Sequence, residues 1–280
     1  MKYIKDDLHN THLPILIIDE KKRYNEYPQI GFGDEGSIHK YNDEIAFKTF
    51  DFTSDKKKLP KKFEKIELLG KLNDKSACFP IGLVGYEDEK KEGYYYELVH
   101  KNQEYKDFDL LLHYGDNKFK LKVIKETSDA IKRFHDMGFI LGDIKGNNIL
   151  IDNDNNIKFV DTDNWKYKEY DYDIVPGRSK WFYRAYKKEC SELDNDKYVL
   201  GLMAIQLFLN GSIISMHQND RYFKYMVDHL NVSNEAKDGL RIIFSDANNK
   251  PYIGDALKDI NTDEEIISKE HVLKLNRFYK

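Results

Sequence analysis

The sequence predicts an α+β fold with two lobes, a small β-rich N-terminal lobe over residues 1–98 and a larger helical lobe over residues 99–280. Two observations predict it. The first third carries short apolar runs separated by glycine and asparagine turns, whereas the pattern beyond Val99 becomes mostly helical. Strands and helices are therefore grouped and do not alternate as βα units would, which is the arrangement of an α+β fold.

Three strands are predicted after an N-terminal extension over residues 1–27. Ile30 precedes a glycine turn, residues 37–41 form the return strand, and the Asn42-Asp43 pair supports a tight turn into residues 44–50. A helix is predicted next, because Phe63, Ile66, Leu69 and Leu72 recur at helical spacing. The segment "GLVGYEDEKKEGYYYELV" then predicts a second hairpin, with its turn within residues 88–93.

The remaining elements are helical apart from one further hairpin. Residues 119–137 form an amphipathic pattern, and the apolar run Val199 to Leu209 predicts a buried helix that is too short to span a membrane. Between them, the runs Ile149 to Ile151 and Ile157 to Val160 flank the turn-forming "DNDNN" and predict the hairpin. Polar residues that open and close this hairpin are expected to converge at one of its edges.

Composition excludes several classes of function. The chain has 280 residues, with 45 Lys and Arg against 49 Asp and Glu, so it has no overall positive field for nucleic acid. Its N terminus has only a four-residue apolar run, too short for a signal-peptide core. The two cysteines share no metal-ligand spacing and form no disulfide framework. These features favour a cytoplasmic protein with no membrane span.

Three groups of residues indicate chemistry. Gly31, Gly33 and Gly36 form a G-x-G-x-x-G pattern, which lets a backbone approach phosphates closely but also occurs in ordinary hairpin turns. Lys48 ends the strand-like "IAFK", where an inward lysine needs an anion to neutralise it. The third group surrounds the 149–160 hairpin and contains Asp143, Lys145, Asn148, Asp161 and Asp163.

Taken in order, these segments resemble the protein kinase superfamily. "GFGDEGSI" resembles the glycine-rich loop, "IAFK" the lysine strand, and "LGDIKGNN" the catalytic loop H-R-D-L-K-x-x-N. "VDTDN" lies where the D-F-G motif is expected, and "DKYVLG" resembles the start of the family's central buried helix. Because the matches keep the family's order over most of the chain, the resemblance implies a bilobal protein-kinase-like fold.

The resemblance implies a role for each matching polar residue, with ATP and Mg²⁺ as cofactors. Lys48 would hold the α and β phosphates, braced by a helix glutamate, for which Glu64 is preferred and Glu67 remains possible. Asp143 would accept the hydrogen bond of the attacking hydroxyl, and Lys145 would neutralise charge on the transferred group. The metal ligands would be Asn148 and Asp161, because their hard oxygen donors suit Mg²⁺.

The resemblance also implies a nucleotide-binding set. Ile38, Ala46 and Leu150 would enclose the adenine, and backbone groups of Glu97 and Val99 would bind its edge. The full set comprises Ile30, Gly31, Gly33, Gly36, Ile38, Ala46, Lys48, Glu97, Val99, Asn148, Leu150 and Asp161.

The chain also departs from the family pattern around its catalytic motifs. Leu141 and Gly142 replace the His and Arg before the catalytic aspartate. Thr162 and Asp163 replace the Phe and Gly of D-F-G, and Asp163 is interpreted either as a further metal neighbour or as a carboxylate that caps the local turn. The A-P-E motif is unclear within "WFYRAYKKE".

Lys250 stands where the family usually has an arginine, which puts the usual buried Glu–Arg pair in doubt. His135 fits a buried position at a helix end better than a ligand role.

Three functions remain open. The first is a Ser/Thr protein kinase acting on a protein substrate of unknown identity, because Lys145 lies two residues after the catalytic aspartate. The second is a small-molecule phosphotransferase of the aminoglycoside or choline type, which shares a G-D-x-x-x-x-N loop. The third is a pseudokinase scaffold, although the usual signature, loss of the Lys, Asp or Asn, is not found here. The oligomeric state is left open.

Overall fold

The structure, a computed structural model, describes residues 3–4, 13–19, 26–33, 36–50, 59–86, 91–98, 105–108, 111, 115–152, 154, 156–172, 190–209, 220–261 and 263–275. The chain divides into two units. Unit 1 comprises Met1–Gln103 together with Phe159–Asp163, and unit 2 comprises Glu104–Lys158 and Asn164–Lys280. Unit 1 is rich in strands and unit 2 in helices, which confirms the α+β class.

Unit 1 is built on a seven-stranded sheet. Its strands are β1 (Tyr3–Ile4), β2 (Ile15–Ile17), β3 (Gln29–Gly33), β4 (Gly36–Lys40), β5 (Ile45–Phe50), β6 (Gly82–Gly85) and β7 (Lys91–Glu97). Their spatial order is β1-β2-β6-β7-β5-β4-β3, with β2 and β6 parallel and the printed neighbouring pairs otherwise antiparallel. The three strands predicted over residues 28–50 are confirmed, as are the strands of the second hairpin.

Alternate residues of this sheet form a core on each face, as the two-residue period of a strand requires. Helix α1 (Leu59–Leu69) packs on the first face, where Phe63 and Ile66 join Phe50, Leu83 and Tyr94. The helix ends at Leu69, so Leu72 lies beyond it and the predicted helical spacing holds only to that point. The opposite face buries a second set, which includes Leu16, Ile18, Phe47, Val84 and Tyr95.

The segment from Phe159 to Asp163 is part of unit 1 because its backbone pairs there. The amide of Phe159 donates to the carbonyl of Ser76 at 2.8 Å, and the amide of Cys78 donates to the carbonyl of Phe159 at 2.8 Å. The side chain of Thr162 adds a hydrogen bond to the carbonyl of Cys78 at 2.9 Å. Five consecutive residues are thereby fixed to the 76–78 segment, although they are distant from it in sequence.

Unit 2 contains six helices among the residues that the structure describes. They are α2 (Asn117–Asp136), α3 (Glu192–Phe208), α4 (Asp220–Asp228), α5 (Asn234–Phe244), α6 (Ile253–Ala256) and α7 (Lys269–Leu275). Helix α2 matches the predicted amphipathic segment, and α3 contains the predicted buried run. Within the described part of the chain, no helix is both long enough and apolar enough to cross a membrane.

The hairpin predicted around "DNDNN" is also confirmed. Strands β10 (Ile149–Asp152) and β11 (Ile157–Phe159) are neighbours in a three-stranded sheet whose other edge is β8 (Tyr105–Asp107). Oδ1 of Asp152 accepts hydrogen bonds from the amides of Asp154 and Asn156, at 2.9 and 2.7 Å, which closes the turn. A short pair, β9 (Phe139–Ile140) and β12 (Lys166–Tyr167), flanks the loop that precedes this hairpin.

Candidate active site

The loop between β9 and β10 brings three of the predicted polar residues together in unit 2. Nζ of Lys145 lies 2.6 Å from Oδ2 of Asp143, and Nδ2 of Asn148 lies 3.3 Å from the same oxygen. Nδ2 of Asn148 also donates to the carbonyl of Asp143 at 3.2 Å, and a 3₁₀ turn over Gly146–Asn148 sets this approach. The side chains of Asp143 and Lys145 are partly exposed, so this ion pair is accessible from the surface of unit 2.

This loop is held by a carboxylate on α3. Asp196 accepts hydrogen bonds from the backbone amides of Leu141 and Gly142, at 2.7 and 2.8 Å, immediately before Asp143. Nε2 of His135 lies 3.0 Å from the Asp196 carboxylate, and its Nδ1 lies 2.9 Å from the hydroxyl of Tyr252. His135 is therefore a buried structural residue at the end of α2, as the sequence predicted, and it supports the loop indirectly.

The replacement of Arg by Gly142 has a backbone explanation. Gly142 has a φ of 71°, a conformation that is costly for residues with a Cβ atom. Leu141, by contrast, is completely buried and supplies an apolar contact. The turn at Gly142 directs the chain so that the backbone amides of Leu141 and Gly142 both reach the carboxylate of Asp196.

Lys48 is the centre of a second polar group, which lies in unit 1. It stands on β5 opposite Ile38 of β4 and Tyr94 of β7, and Ala46 lies two residues before it on the same face. Its Nζ donates to Oδ1 of Asp161 at 2.7 Å. Lys48 is 5% exposed, whereas the Asp161 side chain is 31% exposed.

The same lysine also contacts Asp163, and this contact was missed by the sequence analysis. Nζ of Lys48 lies 3.2 and 3.1 Å from the two carboxylate oxygens of Asp163, and Nζ of Lys62 lies 3.1 Å from Oδ2. The hydroxyl of Tyr94 donates to Oδ1 at 2.7 Å. Asp163 is therefore an ion-pair partner of two lysines, which neither of the two interpretations of Asp163 anticipated.

Electrostatics keep this buried carboxylate charged. Burial alone would raise the pKa of Asp163, but the charges of Lys48 and Lys62 and the hydrogen bond from Tyr94 hold that pKa well below its usual range. Burial, followed by the negative charge of Asp163, raises the pKa of Tyr94 well above its usual value. The Tyr94 hydroxyl therefore donates its hydrogen bond to a carboxylate whose ionised form is favoured by its neighbours.

The prediction that Glu64 braces Lys48 is not supported by the orientation of α1. Glu64 is exposed, while Lys62 and Lys65 are buried beside Ile66. At about 100° per residue, position 62 lies about 40° from Ile66 around the helix axis, whereas position 64 lies about 160° from it. The apolar periodicity thus carried the signal that a lysine occupies the inner face. Glu67 is half-buried and its bracing role stays a prediction.

The predicted nucleotide-binding residues differ in exposure. Ala46 and Leu150 are almost completely buried, in unit 1 and unit 2 respectively, and Ile38 is half-buried. Ile30 and Glu97 are exposed. Val99 lies outside the described residues, as do the A-P-E segment 181–189 and Ser179. The adenine-binding role of this set stays a prediction.

Two of the three glycines of the G-x-G-x-x-G pattern lie on β3, and the third begins β4. Gly31 and Gly33 belong to β3, which pairs with β4. Gly36 has a φ of 158°, and a Cβ atom there would lie 1.9 Å from the backbone oxygen of Thr49. Glycine is thus required at position 36 by the close approach of β5, independently of any phosphate.

Each of the two predicted magnesium ligands keeps an oxygen donor within its own unit. Asp161 offers a partly exposed carboxylate at a residue with a φ of 60°, and Asn148 uses its amide nitrogen toward Asp143, which leaves its amide oxygen as the metal donor. Among the described residues, no group of three His, Cys, Asp or Glu side chains could hold a metal alone. Mg²⁺ usually retains waters and binds substrate phosphates, so it needs few protein oxygens. The shared metal-binding role of Asp161 and Asn148 stays a prediction.

Lys250 has a defined structural role in unit 2. Its Nζ donates to the carbonyls of Ser245 and Ile242, at 2.5 and 3.3 Å, at the C-terminal end of α5. Its backbone amide donates to Oδ1 of Asp194 at 2.9 Å. At this position, the lysine caps a helix.

One known protein family matches most of this sequence. The protein kinase domain family matches residues 24–252, which is most of the chain. The chain therefore belongs to the protein kinase domain family, whose members are phosphotransferases that generally use ATP and Mg²⁺. None of the curated proteins compared with the sequence matches it.

Proposed function

We propose that the chain is a magnesium-dependent protein kinase that transfers the γ-phosphoryl group of ATP to Ser or Thr hydroxyls. The observation that carries this proposal is the contact of 2.6 Å between Lys145 and Asp143, with Asn148 bonded to the same aspartate. Phosphoryl transfer depends chiefly on positioning and on electrostatic stabilisation, and these three residues supply both in one loop.

Asp143 and Lys145 have complementary roles in this proposal. Asp143 accepts the hydrogen bond of the attacking hydroxyl and orients its oxygen toward the γ-phosphorus. Lys145 places a positive charge beside the transferred group, where negative charge is spread over three oxygens in the transition state. The ion pair between them fixes the aspartate in its acceptor orientation.

The remaining predicted residues are assigned to the nucleotide and its metal ion. Lys48 binds the α and β phosphates, and Asn148 and Asp161 supply protein oxygens for Mg²⁺. The ion neutralises phosphate charge and orients the γ-phosphoryl group.

The binding of ATP is expected to depend strongly on Mg²⁺. Without Mg²⁺, the carboxylate of Asp161 would repel the phosphates, and a metal ion held by Asp161 and Asn148 would remove this repulsion. Calorimetric titration of ATP with Mg²⁺ and with EDTA measures this directly. We expect at least about tenfold weaker binding in EDTA. Equal affinities would contradict the assigned metal ligands and favour a scaffold.

Activity is expected not to require phosphorylation of the activation loop. Gly142 has no side chain with which to bind a loop phosphate, and its amide is bonded to Asp196 at 2.8 Å. Thr162 is completely buried, and its hydroxyl donates a hydrogen bond to the backbone carbonyl of Cys78. Protein stripped by a phosphatase and checked by mass spectrometry is expected to act without a lag. A lag that shortens with enzyme concentration, and that pre-incubation with ATP abolishes, would contradict this expectation.

Labelled ATP tests the reaction class. Purified protein with Mg²⁺ and γ-labelled ATP is incubated alone, with a generic basic protein, and separately with an aminoglycoside or choline. Label on Ser or Thr of protein supports the proposal. Label only on the small molecule would instead identify a small-molecule phosphotransferase, and no transfer despite ATP binding would identify a pseudokinase scaffold.

A further inference from the structure

Asp163 is a completely buried carboxylate that lies between two lysines of unit 1. Lys48 on β5 and Lys62 on α1 both approach it to within 3.2 Å, and the hydroxyl of Tyr94 on β7 lies 2.7 Å from it. Lys62 is itself buried, and its Nζ lies 4.6 Å from the centre of the Phe50 ring. Three elements that are distant in sequence thus converge on one carboxylate.

The backbone fixes where this carboxylate lies. Hydrogen bonds from Phe159 and Thr162 to residues 76–78 hold the segment on both sides of Asp161. The 3₁₀ turn Thr162–Asn164 then places Asp163 beneath the sheet face that carries Lys48. The position of Asp163 therefore does not depend on the lysines alone.

Asp161 and Asp163 differ in a way that separates their roles. Both contact Lys48, but the Asp161 side chain is 31% exposed and that of Asp163 is fully buried. On the proposed function, on which this inference rests, Asp161 would bind Mg²⁺, and its contact with Lys48 would then weaken. Asp163 has no solvent-facing surface for a metal and keeps its contact with the lysine.

We propose that Asp163 is the positioning residue that holds Lys48 toward the nucleotide phosphates, in the place that the sequence assigned to a glutamate of helix α1. Lys62 balances the second carboxylate, so that two lysines face two aspartates in this group. A bracing carboxylate supplied by the 159–163 segment depends on the docking of that segment onto residues 76–78. The phosphate-binding lysine and the metal-binding aspartate are thereby aligned by one short stretch of chain.

A merely structural role for Asp163 is the competing explanation, because removing one charge from a buried group destabilises any fold. Two double variants distinguish the explanations. In Lys62→Met/Asp163→Asn one charge of each sign is removed, so the balance is restored, but Lys48 has lost its buried carboxylate. In Lys62→Glu/Asp163→Asn the carboxylate returns from the helix side. Asp259→Asn, at an exposed aspartate of unit 2, is the matched control.

Kinetics with ATP and a generic protein substrate, together with urea midpoints, provide the readout. Asp163→Asn is expected to lower kcat/KM for ATP about 100-fold, the usual effect of misplacing a group by about 1 Å, and to lower the midpoint. Lys62→Met/Asp163→Asn is expected to unfold at nearly the wild-type urea midpoint. Its kcat/KM for ATP is expected to stay within about threefold of that of Asp163→Asn. Lys62→Glu/Asp163→Asn, in which Lys48 again has a buried carboxylate, is expected to regain at least about tenfold in kcat/KM for ATP relative to Asp163→Asn.

Two outcomes would overturn the proposal. If Lys62→Met/Asp163→Asn regains full activity, Asp163 is only a balancing charge. If Asp163→Asn is fully active while Glu64→Gln loses activity, the helix glutamate is the brace after all. Should Asp163→Asn fail to fold, the two double variants are compared with each other, and equal kcat/KM values for ATP in Lys62→Met/Asp163→Asn and Lys62→Glu/Asp163→Asn would refute the bracing role.

Failure of the proposed function is recognised separately. A wild-type protein that binds Mg²⁺-ATP but transfers no phosphate refutes the kinase proposal alone. The affinity for Mg²⁺-ATP then becomes the readout. It is expected to fall about tenfold in Asp163→Asn and to recover in Lys62→Glu/Asp163→Asn but not in Lys62→Met/Asp163→Asn. An unchanged affinity in all three would refute the bracing role.

Discussion

At the scale of single residues, the backbone turn at Gly142 determines where the proposed catalytic aspartate lies. Its φ of 71° lets the amides of Leu141 and Gly142 reach Asp196, and Asp143 follows directly. A side chain at this position strains the turn, and the strain is relieved by moving a neighbour. The neighbour most directly affected is Asp143.

Gly142→Ala is therefore expected to lower turnover more than its effect on stability implies. Gly138→Ala is the matched control, because Gly138 has a φ of 90° and open space around it. Each variant is expected to lose about 1 kcal/mol of unfolding free energy. Only Gly142→Ala should also lower kcat, by at least about tenfold. Equal kcat values for the two variants would show that the turn does not position Asp143.

At the scale of elements, the start of α3 is tied to the segment that follows α5. Asp194 accepts hydrogen bonds from the hydroxyl of Ser191 at 2.8 Å and from the amides of Asn249 and Lys250 at 2.9 Å. Burial alone would raise the pKa of Asp194, but these hydrogen bonds lower it overall. The carboxylate form is thus the one that joins the two segments.

This linkage predicts how stability depends on pH. Because the folded-state pKa of Asp194 lies below its unfolded value of about 3.9, its stabilising effect is fully present above that pH. The effect is lost as the pH falls through the folded-state pKa. Asp194→Asn is expected to lower the free energy of unfolding by about 2 kcal/mol at pH 7. The difference in unfolding free energy between variant and wild type should become smaller at pH 3 and below. Urea unfolding across this range measures the gap, with Asp259→Asn as control, and a constant gap would contradict the assignment.

At the scale of the whole molecule, patterns local in sequence predicted more than contacts distant in sequence. The strands over residues 28–50, the hairpin strands β10 and β11 and the buried run in α3 follow from periodicity and turn residues alone. The contacts among Lys145, Asp143 and Asn148 follow from one loop. All of these features were predictable because their determinants lie within a few residues of one another.

The cluster around Asp163 was not predictable by the same means. It joins positions 48, 62, 94 and 163, and their meeting depends on the docking of residues 159–163 onto residues 76–78. The family resemblance favoured a glutamate on α1, whereas the apolar spacing of Phe63 and Ile66 places Lys62 on the inner face. The family resemblance therefore led to a glutamate on α1, although the apolar spacing of this helix already indicated that Lys62 faces the core.

In the proposed reaction, Asp143 acts on the accepting hydroxyl and does not bind the nucleotide. The most direct test measures ATP affinity and turnover in parallel for wild type and Asp143→Asn. We expect the Kd for Mg²⁺-ATP to change by less than about threefold while kcat falls by at least about 100-fold, the usual contribution of a positioned acid–base group. Near wild-type turnover in Asp143→Asn would contradict the assignment of the catalytic loop and the proposed role of Asp143 in phosphoryl transfer.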